Sequence, residues 1–156
     1  MLELFIPGFK DLALAHLVLD YNGTLALDGR PLPGVRERLE ALSGQLAIHL
    51  LTADTFGTVQ GQVAGWPCRV EVIPRGQEAE AKLAYVQGLG AGETAALGNG
   101  RNDRFMLREA ALGIAVLQTE GAAVEALLAA DLAAPGILAA LDLFLFPQRI
   151  KATLRS

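Results

Sequence analysis

The sequence predicts an α/β fold, a three-layer Rossmann-like parallel sheet with helices on both faces. Along the 156 residues, apolar strand-like runs alternate five times with segments of helical periodicity, the pattern of a parallel sheet connected by helices. Residues 16–19 form the continuous run HLVL, which is typical of a strand buried on both faces. All connections are short, so a single domain over residues 1–156 is expected.

Each predicted element has a local reason. The strands are apolar runs that stop at polar or turn-forming residues, and they cover residues 2–6, 12–19, 46–51, 68–73, 94–97 and 112–117. The helices carry apolar residues three or four apart, and they cover residues 35–44, 55–64, 77–87, 102–111, 121–130 and 137–144. Residues 21–34 form a turn-rich loop. This divides the chain into an N-terminal strand extension (1–14), a core (15–146) and a polar tail (147–156).

Composition and charge exclude several classes of protein. The chain is 52% hydrophobic and 19% charged, with a mean hydropathy of +0.36, which is too apolar for a disordered protein. Its net charge of −4 offers no basic face, so no nucleic-acid partner is expected. The single cysteine, Cys68, cannot form an intramolecular disulfide, which fits the cytoplasm.

One stretch has the length of a bilayer span. Residues 127–146 are largely apolar, but they contain Asp131 and Asp142 and are interrupted by Pro135-Gly136. A charged residue at the centre of a membrane helix costs about 2.5–3.5 kcal/mol. We therefore expect two core elements separated by a turn, and no membrane.

The candidate site residues follow the predicted strands, because ligands of an open parallel sheet bind at the strand carboxyl ends. Asp20 ends a buried strand, where a carboxylate can attack phosphorus or bind a hard cation; an ordinary turn residue is the alternative. The Thr52 hydroxyl and the amide of Ala53 suit a phosphoryl oxygen, although Thr52 could simply cap the next helix.

Two further candidates lie later in the chain. Lys82 lies on a predicted helix, where a solvated lysine is the alternative. The segment Gly98-Asn99-Gly100-Arg101-Asn102-Asp103 allows close approach of backbone to a ligand and places Asp103 at the head of a helix; a capped turn is the alternative. Three residues in or beside apolar strands are expected to have no catalytic part: His16, His49 and Cys68.

Together these segments resemble the motifs of the haloacid dehalogenase-like (HAD-like) superfamily, and the soluble P-type ATPase-like members most of all. Its first motif, Asp-x-Asp-Gly-Thr or Asp-Lys-Thr-Gly-Thr, is similar to Asp20-Tyr21-Asn22-Gly23-Thr24. Leu50-Leu51-Thr52 fits the second motif and Lys82 the third. The fourth, Gly-Asp-Gly-x-Asn-Asp in P-type ATPases, matches residues 98–103 at every fixed place but one. The resemblance covers about residues 15–130.

The resemblance implies a magnesium-dependent phosphatase or phosphotransferase that forms an aspartyl-phosphate on Asp20. The implied catalytic residues are Asp20, Asn22, Thr52 and Lys82. The implied phosphate-binding residues are Gly23, Thr24, Thr52, Ala53 and Lys82. The implied Mg²⁺ site comprises Asp20, the carbonyl of Asn22, Asn99 and Asp103.

Two positions depart from the family pattern. Asn22 stands where the phosphatases have a second Asp that acts as general acid and base. An amide cannot transfer a proton, and such transfer is worth about 10²–10⁴-fold in rate, so slow turnover is expected. Asn99 replaces another acidic residue, which removes a negative charge beside the metal and is expected to weaken Mg²⁺ binding.

The spacing of the motifs leaves no room for a cap domain, because each interval is filled by a βα unit and the next strand. Capless family members act on macromolecules or are covered by a neighbour. A small phosphorylated substrate or a phosphoprotein is therefore expected, and the Ala- and Leu-rich stretch after Gly121 suggests a homo-oligomer. The alternatives are a catalytically impaired binding or regulatory module that acts on a partner protein, and a structural protein whose motifs are coincidental.

Overall fold

The computed structural model describes residues 1–54 and 57–156. The strands are β1 (Leu2–Phe5), β2 (Asp11–Leu14), β3 (His16–Asp20), β4 (Ala26–Leu27), β5 (Arg30–Pro31), β6 (Ala47–Thr52), β7 (Arg69–Val72), β8 (Thr94–Gly98), β9 (Leu112–Val116) and β10 (Leu132–Ala134). The α-helices are α1 (Val35–Leu42), α2 (Thr58–Gln62), α3 (Glu78–Leu89), α4 (Arg104–Glu109), α5 (Val124–Ala129), α6 (Ile137–Leu145) and α7 (Gln148–Leu154). Two single turns of 3-10 helix cover Ala91–Glu93 and Arg101–Asp103.

The central sheet has six parallel strands in the order β10-β9-β8-β3-β6-β7. From β3 the chain builds outward through β6 and β7, then returns along α3 to add β8 on the other side of β3. The strand order therefore reverses at β3, and a ligand site is expected at its carboxyl end. Asp20, Thr52 and Gly98 are the last residues of β3, β6 and β8, so the topology brings the predicted motifs to one edge.

Helices cover both faces of this sheet, which confirms the predicted three-layer architecture. On one face Leu17 and Leu19 of β3 belong to a large core cluster that also contains residues of α1 and α6. On the other face Val18 packs in a second cluster with residues of α3, α4 and α5. Neighbouring residues of one strand thus serve opposite faces, and this explains why the sequence of β3 is apolar without alternation.

The predicted strand over residues 12–19 is two strands with different partners. β2 pairs antiparallel with β1, so the N-terminal extension is a hairpin whose leucines alternate into the core. At Ala15 the chain changes partners: its N–H donates to Glu93 O and its carbonyl accepts from Ala47 N, at 2.8 and 2.9 Å. From there the same apolar run continues as the buried strand β3.

Other elements also differ from the sequence prediction. The loop over residues 21–34 contains a small antiparallel hairpin of β4 and β5. The helix predicted over residues 55–64 corresponds to α2, which covers Thr58–Gln62. Residues 55 and 56 of that prediction lie outside the described residues. The polar tail forms α7, because Ile150 supplies a fully buried contact to the core.

The apolar stretch over residues 127–146 is divided as predicted. It holds the end of α5, the short strand β10 and, after Pro135-Gly136, helix α6. β10 was not predicted, since its three residues become a strand only by pairing with β9. Within residues 1–54 and 57–156, none of the helices has both the length and the apolar character that a bilayer crossing requires.

A pair of glycines provides a test of the packing. A Cβ at Gly113 in β9 would overlap the backbone carbonyl of Leu107, so Gly113→Ala should lower the free energy of unfolding by about 1–3 kcal/mol. The matched control is Gly88→Ala in α3, where a Cβ meets nothing within 4 Å and the change should be neutral or stabilising by up to about 1 kcal/mol. Urea unfolding measures both; equal effects would contradict the packing of β9 against α4.

Candidate active site

A buried carboxylate stands at the centre of the site. Asp20 ends β3 and is 8% exposed. Its Oδ1 accepts a hydrogen bond of 2.6 Å from Lys82 Nζ, and its Oδ2 lies 3.3 Å from the hydroxyl of Thr24. Burial and the negative charge of Asp103 outweigh the effect of Lys82 and raise the pKa of Asp20 to about 7. Positive charge placed beside Asp20 would therefore favour its ionised form.

Lys82 is buried between two carboxylates. It is 2% exposed, and its ammonium group donates to Asp20 Oδ1 and Asp103 Oδ1, both at 2.6 Å, and to Asn102 Oδ1 at 3.3 Å. Burial by itself would lower the pKa of Lys82, but the two carboxylates raise it above its ordinary value. Lys82 is therefore a charged residue of the site and not a solvated surface lysine.

Asp103 organises the loop that follows β8. It is fully buried, and its Oδ2 accepts the backbone N–H groups of Asn99 and Gly100 at 3.0 and 2.9 Å. A Cβ at Gly98 would overlap the Asp103 carboxylate, so only glycine leaves room for this arrangement. The glycine-rich segment thus wraps the carboxylate that holds Lys82.

These residues border a cavity of about 210 Å³. Six residues predicted for the site line it: Asp20, Asn22, Thr52, Ala53, Lys82 and Asn99. Thr52 is buried, and its hydroxyl accepts the N–H of Asp54 at 3.1 Å. The side chain of Asn22 is exposed at the mouth of the cavity. The structure therefore gathers residues from four separate segments around one space.

Gly23 and Thr24, predicted as phosphate-binding residues, lie behind Asp20 instead of lining the cavity. Thr24 is fully buried, and its hydroxyl lies 3.3 Å from Asp20 Oδ2 and 3.2 Å from Asn99 Oδ1. Gly23 has a φ of +76°, and a Cβ there would overlap the side chains of Glu120 and Asn99. Both residues shape the loop that positions the Asp20 carboxylate.

Sequence reasoning missed Gln118 and Glu78. The Gln118 amide donates to the carbonyls of Gly23 and Thr24 at 3.1 and 2.5 Å and accepts the N–H of Ile137 at 3.0 Å. It therefore ties the loop after β3 to the start of α6. Gln118 follows an apolar strand, a signal that could have identified it. Glu78 lines the cavity one helical turn before Lys82.

The oxygen atoms around the cavity suit a hard cation that is also coordinated by a phosphate. The cavity is lined by oxygen-bearing residues that include Asp20, Asn22 and Asn99, and the side-chain oxygens of Asp20 and Asn99 also contact Lys82 or Thr24. Asp103 does not line the cavity, and its two oxygens are bonded to Lys82 and to two backbone amides. Residues 1–54 and 57–156 contain no group of three or more His, Cys, Asp or Glu side chains placed to hold a metal. Mg²⁺ does not require such a group, because it is usually held by one or two carboxylates together with substrate phosphates and water.

The two histidines and Cys68 lie outside the cavity lining. His49 is buried and bonded to the Tyr85 hydroxyl at 2.8 Å and to His16 at 3.1 Å. Burial, with the neighbouring His16, lowers the pKa of His49 to about 4, so its imidazole is neutral near pH 7. Burial raises the pKa of the Cys68 thiol to about 11. His49 and Cys68 therefore pack as neutral groups.

Comparison with known sequences identifies two archaeal relatives, while no protein-family model matches the chain. Both are uncharacterized proteins of Methanocaldococcus jannaschii. One is 47% identical over 60 residues, which make up 38% of this chain and 64% of that protein. The other is 49% identical over 39 residues, which make up 25% of this chain and 89% of that protein. The chain belongs to the same family as the second of these short proteins, and it spans less than two thirds of the first.

Solved structures show that the fold is that of HAD superfamily hydrolases. A subfamily III A hydrolase from Legionella pneumophila superposes with a TM-score of 0.71 at 19% identity, over 90% of this chain and 86% of that one. The 3-deoxy-D-manno-octulosonate 8-phosphate phosphatase of Moraxella catarrhalis, solved with magnesium and phosphate, gives 0.71 at 15% identity over 90% of both chains. A zinc-transporting PIB-type ATPase gives 0.58 at 23% identity, over 76% of this chain and 19% of the transporter. The predicted HAD-like fold is confirmed, and the described residues are consistent with a capless form.

Lys82 forms buried ion pairs with Asp20 and Asp103, so removing its positive charge should strongly lower the stability of the protein. Lys82→Met leaves the carboxylates of Asp20 and Asp103 buried and facing each other, so the free energy of unfolding at pH 7.5 should fall by about 3–5 kcal/mol. The matched control is Lys10→Met: Lys10 is exposed and lies 4.0 Å from Asp131, and its loss should cost less than about 1 kcal/mol. Chemical denaturation measures the free energy of unfolding of both variants. Similar losses would show that the buried ion pairs of Lys82 stabilise the fold no more than a surface ion pair does.

Proposed function

We propose that this chain, whose fold is HAD-like, is a magnesium-dependent phosphatase or phosphotransferase that forms an aspartyl-phosphate on Asp20. The observation that carries the proposal is the placement of Asp20. It is a buried carboxylate at the reversal point of the sheet, fixed by Lys82 at 2.6 Å, and it lines a cavity with Thr52 and Ala53. A carboxylate nucleophile with a cation and hydrogen-bond donors around it is what phosphoryl transfer requires.

In the first half of the reaction, an Asp20 carboxylate oxygen attacks phosphorus and forms the aspartyl-phosphate. The bond from phosphorus to the leaving oxygen breaks, and its electron pair departs with the leaving group. Lys82 offsets the negative charge of Asp20 and the phosphoryl oxygens, and the Thr52 hydroxyl with the Ala53 amide orients those oxygens. The Asn22 amide at the cavity mouth is too weak an acid to protonate the leaving group, so this half-reaction is slow for poor leaving groups.

Magnesium would be held by the Asp20 carboxylate, the Asn22 carbonyl and the Asn99 side-chain oxygen, and it would neutralise phosphoryl charge. Asp103, expected from the resemblance to be a ligand, is proposed here as the residue that positions Lys82. Its two hydrogen bonds from backbone amides and its ion pair with Lys82 support that role. Because Asn99 stands where the family has an acidic residue, Asp20 is the one carboxylate in this proposed ligand set.

The proposed substrate is a small phosphate ester or a phosphorylated protein side chain. Two open clefts of about 490 and 540 Å³ flank the cavity. The larger cleft, which Tyr21 and Asn22 line, has room for the non-reacting part of either kind of substrate. Self-association remains a proposal; it is supported by Val124 and Leu128 of α5, which are 67% and 78% exposed. A cytoplasmic location also remains a prediction.

A regulatory module that binds phosphate without turning it over is the second candidate. It is favoured by Asn22 and Asn99, because each supplies an amide where catalysis would use a carboxylate. Such a module would bind Mg²⁺ and phosphate analogues as the enzyme does. Only the enzyme would transfer a phosphoryl group to Asp20.

Hydrolysis of 4-nitrophenyl phosphate with Mg²⁺ tests the proposed reaction. Asp20→Asn should abolish turnover, because the nucleophile is lost. Asn22→Asp should raise turnover at least about tenfold, since it supplies the missing proton transfer. Release of 4-nitrophenolate measures both. If the wild type and Asp20→Asn hydrolyse the ester at the same rate, Asp20 is not the nucleophile.

The metal assignment is tested by restoring the absent charge. Asn99→Asp adds a carboxylate to the proposed Mg²⁺ ligands and should lower the Kd for Mg²⁺ about tenfold, because ligand charge strengthens the binding of a divalent cation. Calorimetric titration with Mg²⁺ in the presence of orthophosphate gives the Kd without relying on activity. Gln45→Glu serves as the control, because it adds the same charge at an exposed position before β6 that does not line the cavity. An unchanged Kd in Asn99→Asp would remove Asn99 from that set.

A further inference from the structure

Glu78 lies where the three spaces around the site meet. It lines the 210 Å³ cavity together with Asp20, and it also lines both flanking clefts. Its side chain is half-buried, so it touches the cavity and remains in contact with solvent. An anionic side chain at the mouth of a phosphate site opposes anion binding, and charge repulsion of this kind calls for a functional explanation.

The position of Glu78 on α3 directs it toward the reacting centre. It lies one turn before Lys82, and residues four apart share a helix face. Side chains on a helix lean toward its N-terminus, so Lys82 leans toward the turn that carries Glu78. Lys82 in turn contacts Asp20 at 2.6 Å. Glu78, Lys82 and Asp20 thus line the same small cavity.

Glu78 is a proton acceptor and not a donor at neutral pH. The backbone N–H groups of Glu78 and Gly76, followed by the charges of Lys82 and Arg75, hold the pKa of its carboxyl below the ordinary value. The carboxylate is therefore ionised, and its exposure allows it to pass a proton on to bulk water.

Two other nearby carboxylates, those of Asp103 and Asp54, do not line the small cavity. Asp103 is fully buried beneath Lys82. Asp54 accepts the N–H of Val59 at 2.9 Å and lines the larger cleft. Within residues 1–54 and 57–156, Glu78 and Asp20 are the carboxylates that line the small cavity.

We propose that Glu78 is the general base that activates water for hydrolysis of the aspartyl-phosphate, in place of the acidic residue that Asn22 replaces; this rests on the proposed function. The water oxygen forms a bond to phosphorus, and the bond from phosphorus to the Asp20 oxygen breaks, leaving its electron pair on the carboxylate. The water proton passes to Glu78, which releases it to solvent. The cavity volume of about 210 Å³ has room for a phosphoryl group and a water, since one water occupies about 30 Å³ in the liquid.

The experiment separates the two half-reactions in wild type, Glu78→Gln and Glu80→Gln. Glu80 is the matched control, an exposed glutamate of the same helical turn that lines one flanking cleft and not the cavity. The burst of 4-nitrophenolate from 4-nitrophenyl phosphate with Mg²⁺ reports phosphorylation. Acid quenching followed by intact-mass measurement reports the phosphate on Asp20 and its rate of loss.

Glu78→Gln should slow loss of the phosphate from Asp20 at least about tenfold, with the phosphorylated protein accumulating and the burst rate unchanged. Glu80→Gln should behave as the wild type, and Glu78→Asp should recover part of the rate. If the wild type is phosphorylated and Glu78→Gln loses its phosphate at the wild-type rate, Glu78 is not the base and the proposed function survives. If Glu78→Gln slows the burst as much as the hydrolysis, Glu78 acts through structure and the inference fails. Absence of both burst and phosphorylation in the wild type would overturn the proposed function together with the inference.

Discussion

The buried contact of Lys82 with Asp20 and Asp103 is the constraint on which the rest of the site depends. Three charged residues, each less than a tenth exposed, have left water, and several kcal/mol of desolvation per ion must be offset by their mutual contacts. Their two ion pairs of 2.6 Å exist only if the ends of β3 and β8 and the first turns of α3 meet at one point. The order of strands around β3 is what makes them meet.

This arrangement also determines how charge is distributed. Burial, followed by the negative charge of Asp103, raises the pKa of Asp20 to about 7 in spite of Lys82. Further positive charge beside this carboxylate would favour its ionised form. Asp103 contributes its charge to holding Lys82, and Asn99 presents a neutral oxygen. The charges of the site are thus used largely within the contacts of Lys82 with Asp20 and Asp103.

Asn22 and Glu78, both at the cavity mouth, differ in their ability to exchange a proton. At the cavity mouth Asn22 can neither give nor take a proton, whereas Glu78 is held in its ionised form by backbone amides and two cations. Of these two described residues at the cavity mouth, Glu78 can therefore accept a proton and Asn22 can neither accept nor donate one. If Asp20 is phosphorylated, formation of the aspartyl-phosphate and its hydrolysis would depend on different residues.

The sequence by itself determined the order of elements, the parallel sheet and the strand ends that carry the motifs. Apolar runs, turn residues and the spacing of glycines are local, and local patterns predict local structure. It also identified Asp20, Thr52, Lys82 and the segment around Asp103 as one site. It could not tell a buried Lys82 from a solvated one, because the flanking residues on α3 are the same in either case.

Only the tertiary structure decided which groups those residues touch. Asp103 contacts Lys82 and two backbone amides, and Gln118 contacts the loop after β3 and the start of α6; the sequence predicted neither set of contacts. β10 and α7 likewise exist through pairing with β9 and through burial of Ile150. Hydrogen bonds and buried ion pairs between distant segments depend on positions in space, and the periodicity of a single segment carries no information about them.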